Sequence, residues 1–167
     1  DMSERAELSK AYQFLCDAIG LQDDPANALA MFRKQLDIAR ELEQRDPANV
    51  ESKMSVVRSL LRIGVARLKM NEVDAARKAF NDSLAIAEVQ AANDQGNVNY
   101  QLIVADLYQN LGDSYVETEV VDKPKAESWY QKSLAIRQDL VEKLPNDQRL
   151  AEQLETLKTK MKVASEK

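Results

Sequence analysis

Apolar side chains recur along this chain at intervals of three and four, the period that places them on one side of a helix. The pattern itself repeats: KQLDIARELEQRDP at residues 34–47 returns as DSLAIAEVQAANDQ at 82–95 and as KSLAIRQDLVEKLP at 132–145. Phe32, Phe80 and Tyr130 align, followed by Leu36, Leu84 and Leu134, then Ile38, Ile86 and Ile136, at spacings of 48 and 50 residues. Four residues before each aromatic, on the same helical face, stands Ala28, Ala76 or Ala126, where a small side chain lets a neighbouring helix come close. Upstream of each copy runs a second helical pattern: Tyr12-x-x-Leu15-Cys16-x-x-Ile19, Leu60-x-x-Ile63-Gly64-x-x-Arg67 and Tyr108-x-x-Leu111-Gly112-x-x-Tyr115. Each repeat therefore predicts two helices, with Cys16, Gly64 and Gly112 in a small-residue slot where the two touch.

The pattern predicts helices at about 3–20, 26–45, 50–70, 72–92, 98–118, 123–143 and 147–165 of one domain covering 1–167. They group into units of about 8–47, 50–95 and 98–145, with the helix at about 147–165 left over. Asp24-Pro25, Asn71, and Asp122 with Pro124 offer caps for the free N–H groups of helix starts. Asp46-Pro47 and Leu144-Pro145 end the copied helix, because the residue before a proline is pushed out of the α region. Leu150, Leu154, Leu157 and Met161 form a single apolar stripe on the last helix, which reads as a cap shielding the final pair. The competing reading is a short coiled-coil seam that pairs two copies into a homodimer.

The third unit matches W-x-x-L-G-x-x-Y with Tyr108 in place of Trp, and Ala-x-x-x-aromatic follows in order. In these residues the chain resembles a tetratricopeptide repeat protein. The interval from small residue to Ala is 12 residues for Cys16–Ala28 and Gly64–Ala76, as that pattern requires, and 14 for Gly112–Ala126, the surplus falling in the turn ETEVVDKP. The repeats are longer than the usual 34 residues and Arg67 stands where Tyr is expected, a lengthening similar to the repeats of kinesin light chains and of segments attached to bacterial Ser/Thr kinases. The resemblance implies an all-α fold, an α-solenoid of three helix pairs plus a C-terminal capping helix. Its function would be that of a noncatalytic scaffold holding a peptide or helix of a partner in a concave groove. By the same resemblance the groove positions are Lys10, Gln13 and Asp17, then Arg58, Leu61, Val65 and Leu68, then Asp106, Gln109, Asp113 and Val116. Recognition of a chaperone's C-terminal carboxylate, a function of some such domains, fits poorly. Gln13, Leu61 and Gln109 stand where Lys would grip it, and Asp17 and Asp113 would repel it. Asp106 and Asp113, two turns apart, suit a Lys or Arg of a basic or amphipathic protein partner. The alternatives are a self-association module and a regulatory segment of a larger enzyme such as a bacterial Ser/Thr kinase.

Composition narrows the rest. Only four Gly and four Pro among 167 residues, with 44% hydrophobic, favour helix and a continuous core. A net charge of −5 with dispersed Lys and Arg argues against nucleic-acid binding, which depends on clustered cations. No apolar run approaches the roughly 20 residues of a membrane span, so membrane insertion is not expected. With no His and a single Cys, neither a catalytic base of the commonest kind nor a metal site or cofactor cradle is written here, and no enzyme activity is expected. The lone Cys16 points to a reducing compartment and a cytoplasmic location.

Overall fold

The computed structural model describes residues 4–5, 7–8, 11–12, 24–118 and 121–166. Among them the regular structure is helical throughout: α1 Pro25–Arg45, α2 Val50–Lys69, α3 Val73–Asn93, α4 Val98–Asp113, α5 Lys123–Lys143 and α6 Gln148–Glu166. Of the helix expected at 3–20, the described residues Glu4, Arg5, Glu7, Leu8, Ala11 and Tyr12 are helical. The expected groove residues Lys10, Gln13 and Asp17, and Cys16 with them, lie outside the described residues. The chain divides into two compact bodies, Asp1–Ile86 and Ala87–Lys167.

The helix starts follow from short polar side chains that accept from the first free N–H groups. Asp24 accepts from Asn27 N at 2.9 Å, Asn49 from Ser52 N at 3.0 Å, Asn97 from Tyr100 N at 3.3 Å, Asp122 from Lys125 N at 3.2 Å and Asp147 from Leu150 N at 3.3 Å. Between the units the same tight turn recurs, closed by Asn49 N to Asp46 O, Asn97 N to Asp94 O and Asp147 N to Leu144 O, all at 3.1 Å.

Two boundaries differ from the sequence expectation. Asn71 caps no helix start. It follows the last turn of α2 with a left-handed φ of 60°, and the bonds Asn71 N to Leu68 O and Glu72 N to Arg67 O, both 2.9 Å, close that end. Asn tolerates this conformation, which serves the orphan carbonyls of a helix terminus. The first helix of the third unit stops at Asp113, short of 118. The chain tightens there through Tyr115 N to Gly112 O and Val116 N to Asp113 O, both 3.0 Å, while the Ser114 hydroxyl donates to Leu111 O at 2.7 Å. A serine that satisfies a nearby carbonyl in this way competes with continued helix.

In the N-terminal body α1 packs on α2, burying Leu29, Phe32 and Leu36 against Val56, Leu60 and Ile63, with Ala79 of α3 completing the core. Gly64 of α2 faces Phe80 of α3 and Val57 faces Ser83, whose hydroxyl donates to the Val57 carbonyl at 2.9 Å, so the two helices run in opposite directions. In the C-terminal body α5 packs on both α4 and α6. Leu150 meets Leu102 and Leu140, and Leu157 joins Ala126, Tyr130 and Ala164. The apolar stripe of the last helix is thus spent on its own body: Leu150, Leu154 and Leu157 are all buried, and Met161 packs at its end.

Candidate partner-binding face

The residues of α2 divide between two sides. Leu60, Ile63 and Gly64 are buried, the first two in the core, while Leu61, Val65 and Leu68, at helical spacing, remain half-buried beside it. Arg58 extends the same row and pairs with Glu51 two turns before it. Arg67 pairs with Glu72 at 2.8 Å, and the Arg62 guanidinium lies over the Phe32 ring, 5.9 Å from its centroid. An apolar row flanked by charges therefore runs along one side of α2.

On the C-terminal body the four expected positions of the third unit, three on α4 and Val116 in the turn after it, border two adjoining clefts against α6. Asp106 and Gln109 line one of about 430 Å³, with Arg149, Glu152 and Gln153. Asp113 and Val116 line the next, of about 580 Å³, with Glu155, Thr159, Lys160 and Val163. Thr156 borders both.

The two α4 carboxylates on this face are already engaged by the chain itself. Arg137 of α5, buried, donates to Asp106 at 2.5 Å, to Gln153 at 3.1 Å and to Gln109 at 3.4 Å, and its Nε meets the Ser133 hydroxyl at 3.3 Å. Burial raises the Asp106 carboxyl above the usual carboxylate range, with the Arg137 guanidinium pulling the other way. The carboxylate of Asp113, a residue 5% exposed, accepts from the Tyr130 hydroxyl and from Lys160 Nζ of α6, both at 2.7 Å. The two carboxylates expected to receive a ligand's cation thus hold Arg137 and Lys160. Arg137 had one signal in the sequence: it stands where the earlier repeats have Ala39 and Ala87, both fully buried. Lys160 had none, because it lies on the helix outside the repeat.

Two phenols are held on carboxylates, Tyr130 on Asp113 and Tyr108 on Glu88 at 2.5 Å, and burial foremost pushes both well above the ordinary value near 10. The fold favours the neutral phenol, so its contribution is full below about pH 10 and is lost as pH rises through the higher folded values. In an absorbance titration, Tyr108 and Tyr130 are expected to ionise only with alkaline unfolding. Tyr130→Phe is expected to make the alkaline loss of stability shallower. Ionisation of either phenol near pH 10 while the chain stays folded would refute this.

Among the described residues no three His, Cys, Asp or Glu side chains are grouped to hold a metal ion, and no helix is long and apolar enough to cross a membrane. What fold and face define together, among the described residues, is an all-helical protein with a mixed apolar and polar side on each body. Its sequence matches no protein-family model and no curated protein.

Proposed function

We propose that this chain is a noncatalytic protein-interaction scaffold, a solenoid of three long tetratricopeptide-like helix pairs closed by α6, in which the first helices hold an extended segment or helix of a partner. The observation that carries the reading is the separation of duties within α2 and α4. Packing residues such as Leu60, Ile63 and Leu111 are buried, while the residues between them, Leu61, Val65 and Leu68 or Asp106 and Gln109, remain half-buried. The internal pairs Arg137–Asp106 and Lys160–Asp113 support it by fixing the face before a partner arrives, which lowers the ordering cost of binding.

The test is selection of binders from a random-peptide library displayed on phage, followed by affinity measurement for the recovered peptides. Leu61→Glu with Leu68→Glu is expected to weaken those recognising the N-terminal body at least tenfold while circular dichroism stays helical. Peptides that bind the double variant as tightly as the parent, with the fold retained, would show that the face is misassigned.

A further inference from the structure

A second surface of the C-terminal body faces neither of the α4–α6 clefts. Tyr108 of α4 and Trp129 of α5, the chain's sole tryptophan, stack with ring centroids 5.8 Å apart and planes 29° apart, both rings half-buried. Lys132, exposed and one turn beyond Trp129, lays its ammonium 4.3 Å from the Trp129 centroid and 5.4 Å from that of Tyr108. No carboxylate among the described residues pairs with it. The scaffold does not need this arrangement: at the place of Trp129 the earlier repeats carry Met31 and Ala79.

Tyr108 and Glu88 also border a groove of about 650 Å³ with Ala91, Val104, Ile136 and Leu140 along it. Its lining holds two carboxylates, Glu88 and Asp139, and one ammonium, Lys143, which Asp139 already engages at 2.7 Å. The charge left over is the exposed carboxylate of Glu88, which accepts from the Tyr108 hydroxyl at one edge of the stacked rings. Carboxylate and ring faces attract the same ligand group, a cation. Lys132 fills that seat from its own helix, tethered there and exposed. An arginine fills it better, because guanidinium is more weakly hydrated, stacks flat on an indole and can meet a carboxylate with paired N–H groups.

We infer that this aromatic shelf and its groove take a basic amphipathic segment of a partner protein, an arginine of which replaces Lys132 on Trp129 and Tyr108 beside Glu88 while apolar side chains lie along Ile136 and Leu140. The contact goes beyond the function proposed above by using a different side of the C-terminal body. The experiment titrates the full chain with a 14-residue amphipathic peptide of Leu and Arg, with its Leu and Glu counterpart and with a 12-residue oligouridylate, and reads the emission of Trp129. The Leu/Arg peptide is expected to give a saturable change. Lys132→Ala, which removes the tethered competitor, is expected to bind it at least threefold tighter, and Glu88→Gln at least fivefold weaker. Thr156→Arg, in the α4–α6 clefts, is expected to leave its affinity unchanged. The inference is overturned by the absence of a saturable change, by equal or tighter binding of the Glu peptide or of the RNA, or by weaker binding after Lys132→Ala. Loss of binding on Thr156→Arg, with Lys132→Ala and Glu88→Gln silent, would place the peptide on the α4 face, overturning this inference and leaving the proposed function standing.

Discussion

Replacing Gly112 by Val is expected to lower the unfolding free energy by about 3 kcal/mol, the upper end of what overpacking a filled core costs. The reason is the distance to one ring. A Cβ built on Gly112 would stand 2.6 Å from Tyr130, and Tyr130 is almost wholly buried, so the ring has nowhere to retreat. Even Gly112→Ala should destabilise, although in an open helix the same change stabilises by about 1 kcal/mol. The second unit makes the contact still closer, between Gly64 and Phe80. There Phe80→Leu should recover part of the loss caused by Gly64→Ala, with a coupling of about 1 kcal/mol or more between the two. Gly96 supplies the control: a Cβ there would meet only the Asp94 carboxylate, at 3.9 Å, so Gly96→Ala should be neutral or slightly stabilising. Urea unfolding of these variants checks the set, and a wild-type midpoint for Gly112→Val would mean that α4 and α5 do not meet as described.

That contact was legible in the sequence because it is local and repeated. Two helices joined by a short turn must touch, and a glycine aligned in two repeats, each followed by an aligned aromatic, marks where. The caps at Asp24 and Asp122 were legible for the same reason, since a cap acts within three residues of itself. Asn71 was misread because a polar residue between two helices serves either the end of the first or the start of the second. Only the backbone angle decides, and at 60° it decides for the first. The end of α4 was missed because apolar periodicity continues through Tyr115 and Val116, which do enter or border the core, although in turns.

The charged face was half legible. The resemblance named Asp106, Gln109, Asp113 and Val116 together, spacing put the two carboxylates on one side, and the four border adjoining clefts. Spacing could not say what answers the two carboxylates, because Arg137 lies 31 residues from Asp106 and Lys160 lies 47 from Asp113. Only the packing of α5 and α6 on α4 brings them together. The substitution of Arg137 for Ala39 and Ala87 shows how such a partner can be sought: a charge that interrupts a buried, repeated position must find an acceptor nearby.

Asp113→Ala is the second large effect, about 2–3 kcal/mol of lost stability. Removing the carboxylate leaves the buried Tyr130 hydroxyl without its acceptor and Lys160 without its counter-ion. Breaking a fully buried pair costs about 3–5 kcal/mol, but the Lys160 side chain is 35% exposed and regains water, which brings the expected value down. Tyr130→Phe should cost about 1 kcal/mol, since the carboxylate keeps Lys160. Combined with Asp113→Ala it should add little, because no hydroxyl then remains to be orphaned. Denaturant unfolding of the two single variants and the double variant measures this directly. The same set also weighs structure against binding for a residue expected at first to serve a ligand. A loss under about 1 kcal/mol on Asp113→Ala, together with lost capture of peptides selected on the α4 face, would mean that Lys160 is easily displaced and the carboxylate serves the partner. A loss of 2 kcal/mol or more, with capture retained once the variant is folded, would make Asp113 a strut that holds α6 against α4 and leave recognition to the apolar and neutral residues of the clefts.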